Sequence, residues 1–175
     1  MAEVIIRKMM HQEIASVSNL MRSIFENEMA DDFSASGKRI FREAISIRRI
    51  EEELKNGSFY LVAVVEELII GVIALVNYGH VLSLFVHPDL QKQGIATALW
   101  NKAKAICYEK KQTQRFTVNA SEGAKPIFEK FGFQDSTNVK MKNSVLFTPM
   151  RLEITTMNGK QENQHKQFAT VNAGR

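Results

Sequence analysis

Gln91, Gly94 and Ala96 have the types and the spacing to hold a phosphate. They lie in the run Val86-His87-Pro88-Asp89-Leu90-Gln91-Lys92-Gln93-Gly94-Ile95-Ala96. An apolar, strand-like stretch, Val81-Leu82-Ser83-Leu84-Phe85, precedes it, and a helix-like stretch from Ile95 to Lys111 follows. A strand, a tight turn at glycine and a helix start together make an anion site. The first N–H groups of a helix have no internal partner, and the helix dipole favours negative charge there. Glycine, without a Cβ, lets the anion approach the backbone. Two other phosphate loops are excluded, because neither G-x-x-x-x-G-K-[ST] nor G-x-G-x-x-G occurs in the chain.

The elements that must position this loop follow from hydrophobic periodicity. Val4 to Lys8 reads as a first strand, and His11 to Phe25 as a helix with Ile14, Val17, Met21 and Ile24 on one face. Asn27 to Gly37 reads as a polar loop. Lys38 to Leu54 reads as one helix through Ile40, Ala44, Ile47, Ile50 and Leu54, ended by Asn56-Gly57. Phe59–Val65 and Leu68–Val76 form a hairpin across Glu66-Glu67, and Asn77-Tyr78-Gly79 is a turn before the strand 81–86. The helix from Gly94 to Lys111 is expected to bury Ile95, Ala98, Leu99, Ala103 and Ile106. Arg115 to Asn119 is a strand, and Ala124 to Phe131 a helix with Pro126 in its first turn. Gly132 suits the left-handed position after that helix, with Phe133 folding back onto it. Residues 144–147 and 150–154 read as the last strand or strand pair. The order is β-α-α-β-β-β-α-β-α-β, an α/β layered domain with a mixed sheet over residues 1–154. The Gln/Asn-rich residues 155–175 are expected to be a polar, mobile tail.

Gln91-x-x-Gly94-x-Ala96 resembles the [QR]-x-x-G-x-[GA] pyrophosphate loop of the GCN5-related N-acetyltransferase (GNAT) superfamily. The segment Thr117 to Phe133 is similar to its later motif, in which a strand is followed by a helix ending FYEKLGF. The resemblance runs from about Val4 to Leu152. It is closest to a group of small bacterial acetyltransferases of unassigned substrate, on Phe25 with the acidic loop behind it, Glu67 to Ile73, His80 to Val86, Thr117 to Ser121, and Lys142-Asn143 before Phe147-Thr148-Pro149-Met150.

The resemblance implies a mixed, mostly antiparallel central sheet flanked by helices, with two neighbouring strands splayed to admit acetyl-CoA. It implies transfer of acetyl from acetyl-CoA to a primary amine by direct attack on the thioester, with no metal. Leu84, Phe85 and Val86 then match the strand whose backbone pairs with the pantetheine arm. Gln91, Lys92, Gln93, Gly94, Ile95, Ala96 and Thr97 surround the pyrophosphate, and Asn119 contacts the arm. His80 stands where several members carry a catalytic glutamate, and histidine has the intrinsic pKa to take a proton at neutral pH. Glu66, Glu67 and His87 are weaker alternatives. Phe128 replaces the tyrosine that often protonates the leaving thiolate. That replacement keeps a second reading open, a non-catalytic acyl-CoA sensor. Glu26, Glu28, Asp31 and Asp32 either attract a cationic acceptor or form a solvated acidic loop.

Composition sets the remaining bounds. At 175 residues and 45% hydrophobic content the chain suits one domain with a sizeable core. Its formal charge is +4, of which the tail carries +2 through Lys160, Lys166 and Arg175 against Glu162. The body is too weakly basic for nucleic acid. The single cysteine, Cys107, excludes an internal disulfide, fits a reducing compartment, and reads as buried and inert. The four histidines and this cysteine lack metal-ligand spacing. No apolar run reaches membrane-spanning length, and no signal segment is evident. The expected setting is cytoplasmic, with a small-molecule or peptide amine as partner and a homodimer as the default assembly.

Overall fold

The computed structural model describes residues 3–138, 140–142 and 145–154. The expected tail, 155–175, and Asn143-Ser144 lie outside the described residues. Strand β1 (Ile5–Lys8) is followed by a helical turn and α1 (Ile14–Ile24), then α2 (Ala35–Ala44) and α3 (Ile47–Lys55). Strands β2 (Phe59–Val65), β3 (Leu68–Val76) and β4 (His80–Val86) lead into α4 (Ile95–Lys111), β5 (Arg115–Ala120) and α5 (Lys125–Lys130). Three further strands follow, β6 (Gln134–Asp135), β7 (Lys140–Lys142) and β8 (Val145–Glu153). The sheet order is β1-β2-β3-β4-β5-β8-β6, with β7 pairing β8. Among the described strands only β4 and β5 run parallel; the other pairs are antiparallel.

This is the mixed, mostly antiparallel sheet the sequence implies, and it differs from the expected order in particular places. The single helix expected over 38–54 is two. Ser46 leaves the helical region (φ −72°, ψ 155°) and its hydroxyl accepts from the Arg49 N–H, capping α3 as a new helix. The break tucks Ile45 into the core at 2% exposure and turns Ile47 out at 45%. Ser18 Oγ then donates to the Ile45 carbonyl at 2.7 Å, satisfying it under α1. The expected polar loop after Phe25 is wound instead. Phe25–Met29 continues α1 as a π turn, Ala30–Asp32 is a 3₁₀ turn, and Ser34 caps α2 through Gly37 N–H. At the C-terminal end one strand, β8, replaces the possible pair, and β6 and β7 flank it.

Each face of the sheet carries its own core. On one, Ile14, Val17, Met21 and Ile24 of α1 pack with Tyr60, Val62, Val72 and Phe85, so the expected apolar stripe of α1 is the buried one. On the other, α4 packs on Leu61, Ile73, Leu75 and Val81. Helix α4 buries Ile95, Leu99, Trp100, Ala103 and Cys107. Ala98 faces out and Ile106 is only half-buried, so the real stripe is rotated toward Trp100, which stacks on Phe131 (5.8 Å between centroids) and meets Phe116 edge-on (5.0 Å). The end of α5 is as the sequence requires. Gly132 sits at φ +94°, its N–H donates to Glu129 O, the Phe133 N–H donates to Phe128 O, and the Phe128 and Phe133 rings pack 5.4 Å apart.

Candidate active site

Two irregularities in β4 create the site. The first is where pairing stops. β4 and β5 are joined only at His80 with Thr117 and at Val81 with Val118. Beyond that point β4 runs on to Val86 and β5 to Ala120 without pairing, so the strands diverge and the β4 edge faces a gap. The second is a bulge. Ala74 opposes Ser83 while Leu75 opposes Val81, leaving Leu82 unopposed. A bulge shifts which face each residue serves. Val81 joins the α4 side of the sheet, while Ser83 and Phe85, opposite Ala74 and Val72, face α1–α3.

The gap opens into a cleft of about 810 Å³. At one end lies the loop before α4. Gly94 is the N-cap of that helix at φ +86°, a conformation glycine adopts without strain, and a Cβ there would meet nothing within 4 Å. The loop surface over Gly94 is therefore open. Above it the N–H groups of Ile95, Ala96 and Thr97 begin a 17-residue helix, whose first internal bond in this turn is Ala98 N–H to Gly94 O at 2.9 Å. Gln91 holds the loop rather than reaching outward, since its Nε2 donates to Val86 O at 3.1 Å. Lys92 adopts φ +61° and lies on the wall.

The cleft wall includes Leu84, Phe85, Val86, Gln91, Lys92, Gly94, Ile95, Ala96, Thr97, Asn119 and Phe128 from the sequence reading. Gln93 is not on it; its side chain is exposed and donates to Asp89 O at 3.3 Å. His80 is not on it either. Its Nδ1 bonds Thr117 Oγ1 at 2.8 Å, across the last paired step of β4 and β5. Burial holds the His80 imidazole below the ordinary histidine range, which keeps it neutral at pH 7. Phe128 is 4% exposed and carries no proton to give. Of the alternative bases, Glu66 and Glu67 form the β2–β3 hairpin tip at φ +47° and +71°, and His87 lies on a separate, smaller hollow. Cys107 is buried, with its thiol pushed up to about 12 by desolvation, which makes it inert.

Apart from Glu28, the far end of the cleft is made by groups the sequence did not single out as site residues. Met29, Phe41, Ala44, Ile45, Arg49 and Glu53 line it, with Ile24 and Glu28. Glu53 accepts from the Tyr60 hydroxyl and, at 3.1 Å, from Arg49 Nε. Among the acidic candidates Glu28 alone is on the wall; Glu26 is held by Arg42 at 2.6 and 2.9 Å. No signal in the chain marks these residues, since Phe41, Arg49 and Glu53 read as ordinary positions of an amphipathic helix.

Splayed central strands and a phosphate-type loop at a helix start are the features that the resemblance to the GNAT superfamily implies. A family model described as an acetyltransferase (GNAT) domain matches residues 29–154, and the chain belongs to that family. It is similar to an uncharacterised N-acetyltransferase of Escherichia coli K12, YafP, at 34% identity over 86 residues, 49% of this chain and 52% of that one. That match therefore spans about half the relative's length. The fold is shared with a GCN5-related N-acetyltransferase from Rhodopseudomonas palustris (TM-score 0.75, 22% identity, covering 88% of this chain and 98% of that one). It is also shared with the PaiA N-acetyltransferase from Thermoplasma acidophilum, in complex with coenzyme A (TM-score 0.72, 18% identity, covering 86% and 99%). No described helix is long and apolar enough to cross a membrane.

Proposed function

We propose that the chain is an acetyl-CoA-dependent N-acetyltransferase acting on a primary amine. The cleft carries this reading: it joins an anion-binding loop at one end to a half-apolar pocket at the other, along an unpaired strand edge. Acetyl-CoA supplies an activated acetyl group: the acceptor's ammonium loses one proton to become the free amine, then a C–N bond forms as the C–S bond breaks, the amine's second proton goes to the leaving thiolate, and the products are an N-acetylamine and CoA thiol. The N–H groups following Gly94 take the pyrophosphate, with Lys92 adding charge. The peptide groups of Leu84, Phe85 and Val86, left without strand partners on the gap side, take the amide-bearing arm, and Asn119 closes on it from β5.

His80 takes the amine's proton through an intervening water. Three observations support that role. Its side chain shares the α1–α3 face with Ser83, its pKa is depressed so the base form dominates at neutral pH, and its Nδ1 is bonded to Thr117 Oγ1, an arrangement in which the tautomer with Nδ1–H donating to Thr117 has Nε2 as the proton acceptor. The absence of a proton on Phe128 favours the sensor as the second reading. A screen of amines and peptides read by CoA thiol release separates the two. Amine-dependent release supports the transferase; tight acyl-CoA binding with no release for any amine would establish the sensor. A cytoplasmic setting, where acetyl-CoA is made, suits the transferase.

A further inference from the structure

The acceptor end of the cleft carries more information than the family does, and what it says rests on the acetyltransferase reading. Its walls divide by charge. Lys92 and Lys130 lie on the loop and α5 side, whereas Glu28, Glu53 and Arg49 lie on the helical side, two carboxylates against one guanidinium. The remaining helical wall is apolar and includes Phe41. Phe41 is fixed: it stacks on the fully buried Phe25 at 4.2 Å and 13°, and stands edge-on to Phe85 at 6.3 Å and 74°. Phe25 covers one face of the ring and Phe33 and Phe85 flank it, so the part of Phe41 that lines the cleft is a fixed aromatic surface against which an aromatic body can pack face-on or edge-on.

Glu53 is the polar group set against that surface. Its side chain is 13% exposed, and both oxygens are engaged, one by the Tyr60 hydroxyl and one by Arg49 Nε. A carboxylate oxygen that accepts one hydrogen bond keeps a second lone pair, so each oxygen can still accept from an ammonium. Tyr60 fixes where the carboxylate sits. Tyr60 opposes Ala74 and Ala74 opposes Ser83, so a row with two small side chains runs from beneath Glu53 to the bulged part of β4. The geometry points to a singly charged primary amine on a flat apolar body as the acceptor, with Glu53 receiving its ammonium before the proton is lost. An acceptor bearing many ammonium groups does not fit, because Arg49 offsets one of the two carboxylate charges on the helical wall, the rest of that wall is apolar, and Lys92 and Lys130 stand on the opposite side.

The two partners of the pair give opposite signs. Glu53→Gln keeps the shape and still accepts from Tyr60, but removes the charge that holds the ammonium. Arg49→Gln removes the cation competing for Glu53. The test is calorimetry on the CoA-loaded protein with 2-phenylethylamine, 3-phenylpropionate and kanamycin, alongside CoA release from acetyl-CoA. The wild type is expected to prefer 2-phenylethylamine. Glu53→Gln weakens it by about tenfold or more, Arg49→Gln tightens it, and CoA affinity is unchanged in both. Preference for the acid or for kanamycin, no binding of any probe, or weakening by both variants alike would overturn the assignment. Phenylethylamine binding as described without CoA release from any amine would sink acetyl transfer and leave the Glu53 site standing. CoA release with amines that is indifferent to Glu53→Gln would do the reverse.

Discussion

The two ends of the cleft are built from different materials. The proposed cofactor end is backbone: a left-handed glycine at the cap of α4, the N–H groups of its first turn, and a strand edge that ran out of partners at Val81. The proposed acceptor end is side chains brought from several elements, Phe41 from α2 and Arg49 and Glu53 from α3, with the buried Tyr60 of β2 holding Glu53 from beneath. Backbone sites depend on conformation and tolerate changes of side chain. Side-chain sites depend on identity and are free to vary while the fold stays the same. One family can therefore keep its cofactor and change its acceptor.

Substitutions can break or sharpen this contrast. The largest effect is expected at His80, where the proposed chemistry depends on one imidazole. His80→Ala should lower turnover by about two to four orders of magnitude while CoA affinity stays as it was. In the wild type, kcat/KM should fall on the acid side with a midpoint below the ordinary histidine value of about 6.5, because burial lowers this pKa and keeps the base neutral to lower pH. A pH–rate profile of both proteins checks this. Unchanged turnover in the variant would take His80 out of the mechanism. A smaller effect is expected at Phe128, on the α5 wall of the cleft. Its ring is committed to packing against Phe133, and a thiolate leaves readily with water as the acid. Phe128→Tyr should change turnover by less than about tenfold, or about 1.4 kcal/mol of barrier, in steady-state assays. A hundredfold gain would show that the chain lacks an acid it needs.

The same contrast explains what was legible in the sequence. The loop, its glycine, the Schellman end at Gly132 and the buried stripe of α1 are local, and each rests on a residue type at a fixed spacing. The parts that were not legible are those that local spacing leaves degenerate. Ile40, Ala44, Ile47, Ile50 and Leu54 fit one continuous helix as well as two, and nothing distinguishes Ser46 as a cap from a serine on a polar face. The bulge at Leu82 is hidden because Val81, Leu82, Leu84 and Phe85 are apolar in either register. The Phe131 and Phe133 rings that draw Trp100 inward come from other parts of the chain, so the α4 pattern alone misplaces its face. The cluster of Arg49, Glu53 and Tyr60 exists only once α3 is laid over β2.

The central claim is that the backbone around Gly94 holds the pyrophosphate of acetyl-CoA. Its most direct test is calorimetric titration of acetyl-CoA into the wild type and into Gly94→Glu, with circular dichroism confirming that the variant is folded. A Cβ at Gly94 meets no protein atom, so the fold should survive, although φ +86° costs a non-glycine residue about 1–2 kcal/mol. The added side chain and its negative charge stand where the anion must sit. The account predicts that affinity falls by about a hundredfold or more, as expected for losing contacts to a charged group and adding repulsion. A folded variant that binds acetyl-CoA as tightly as the wild type would contradict it.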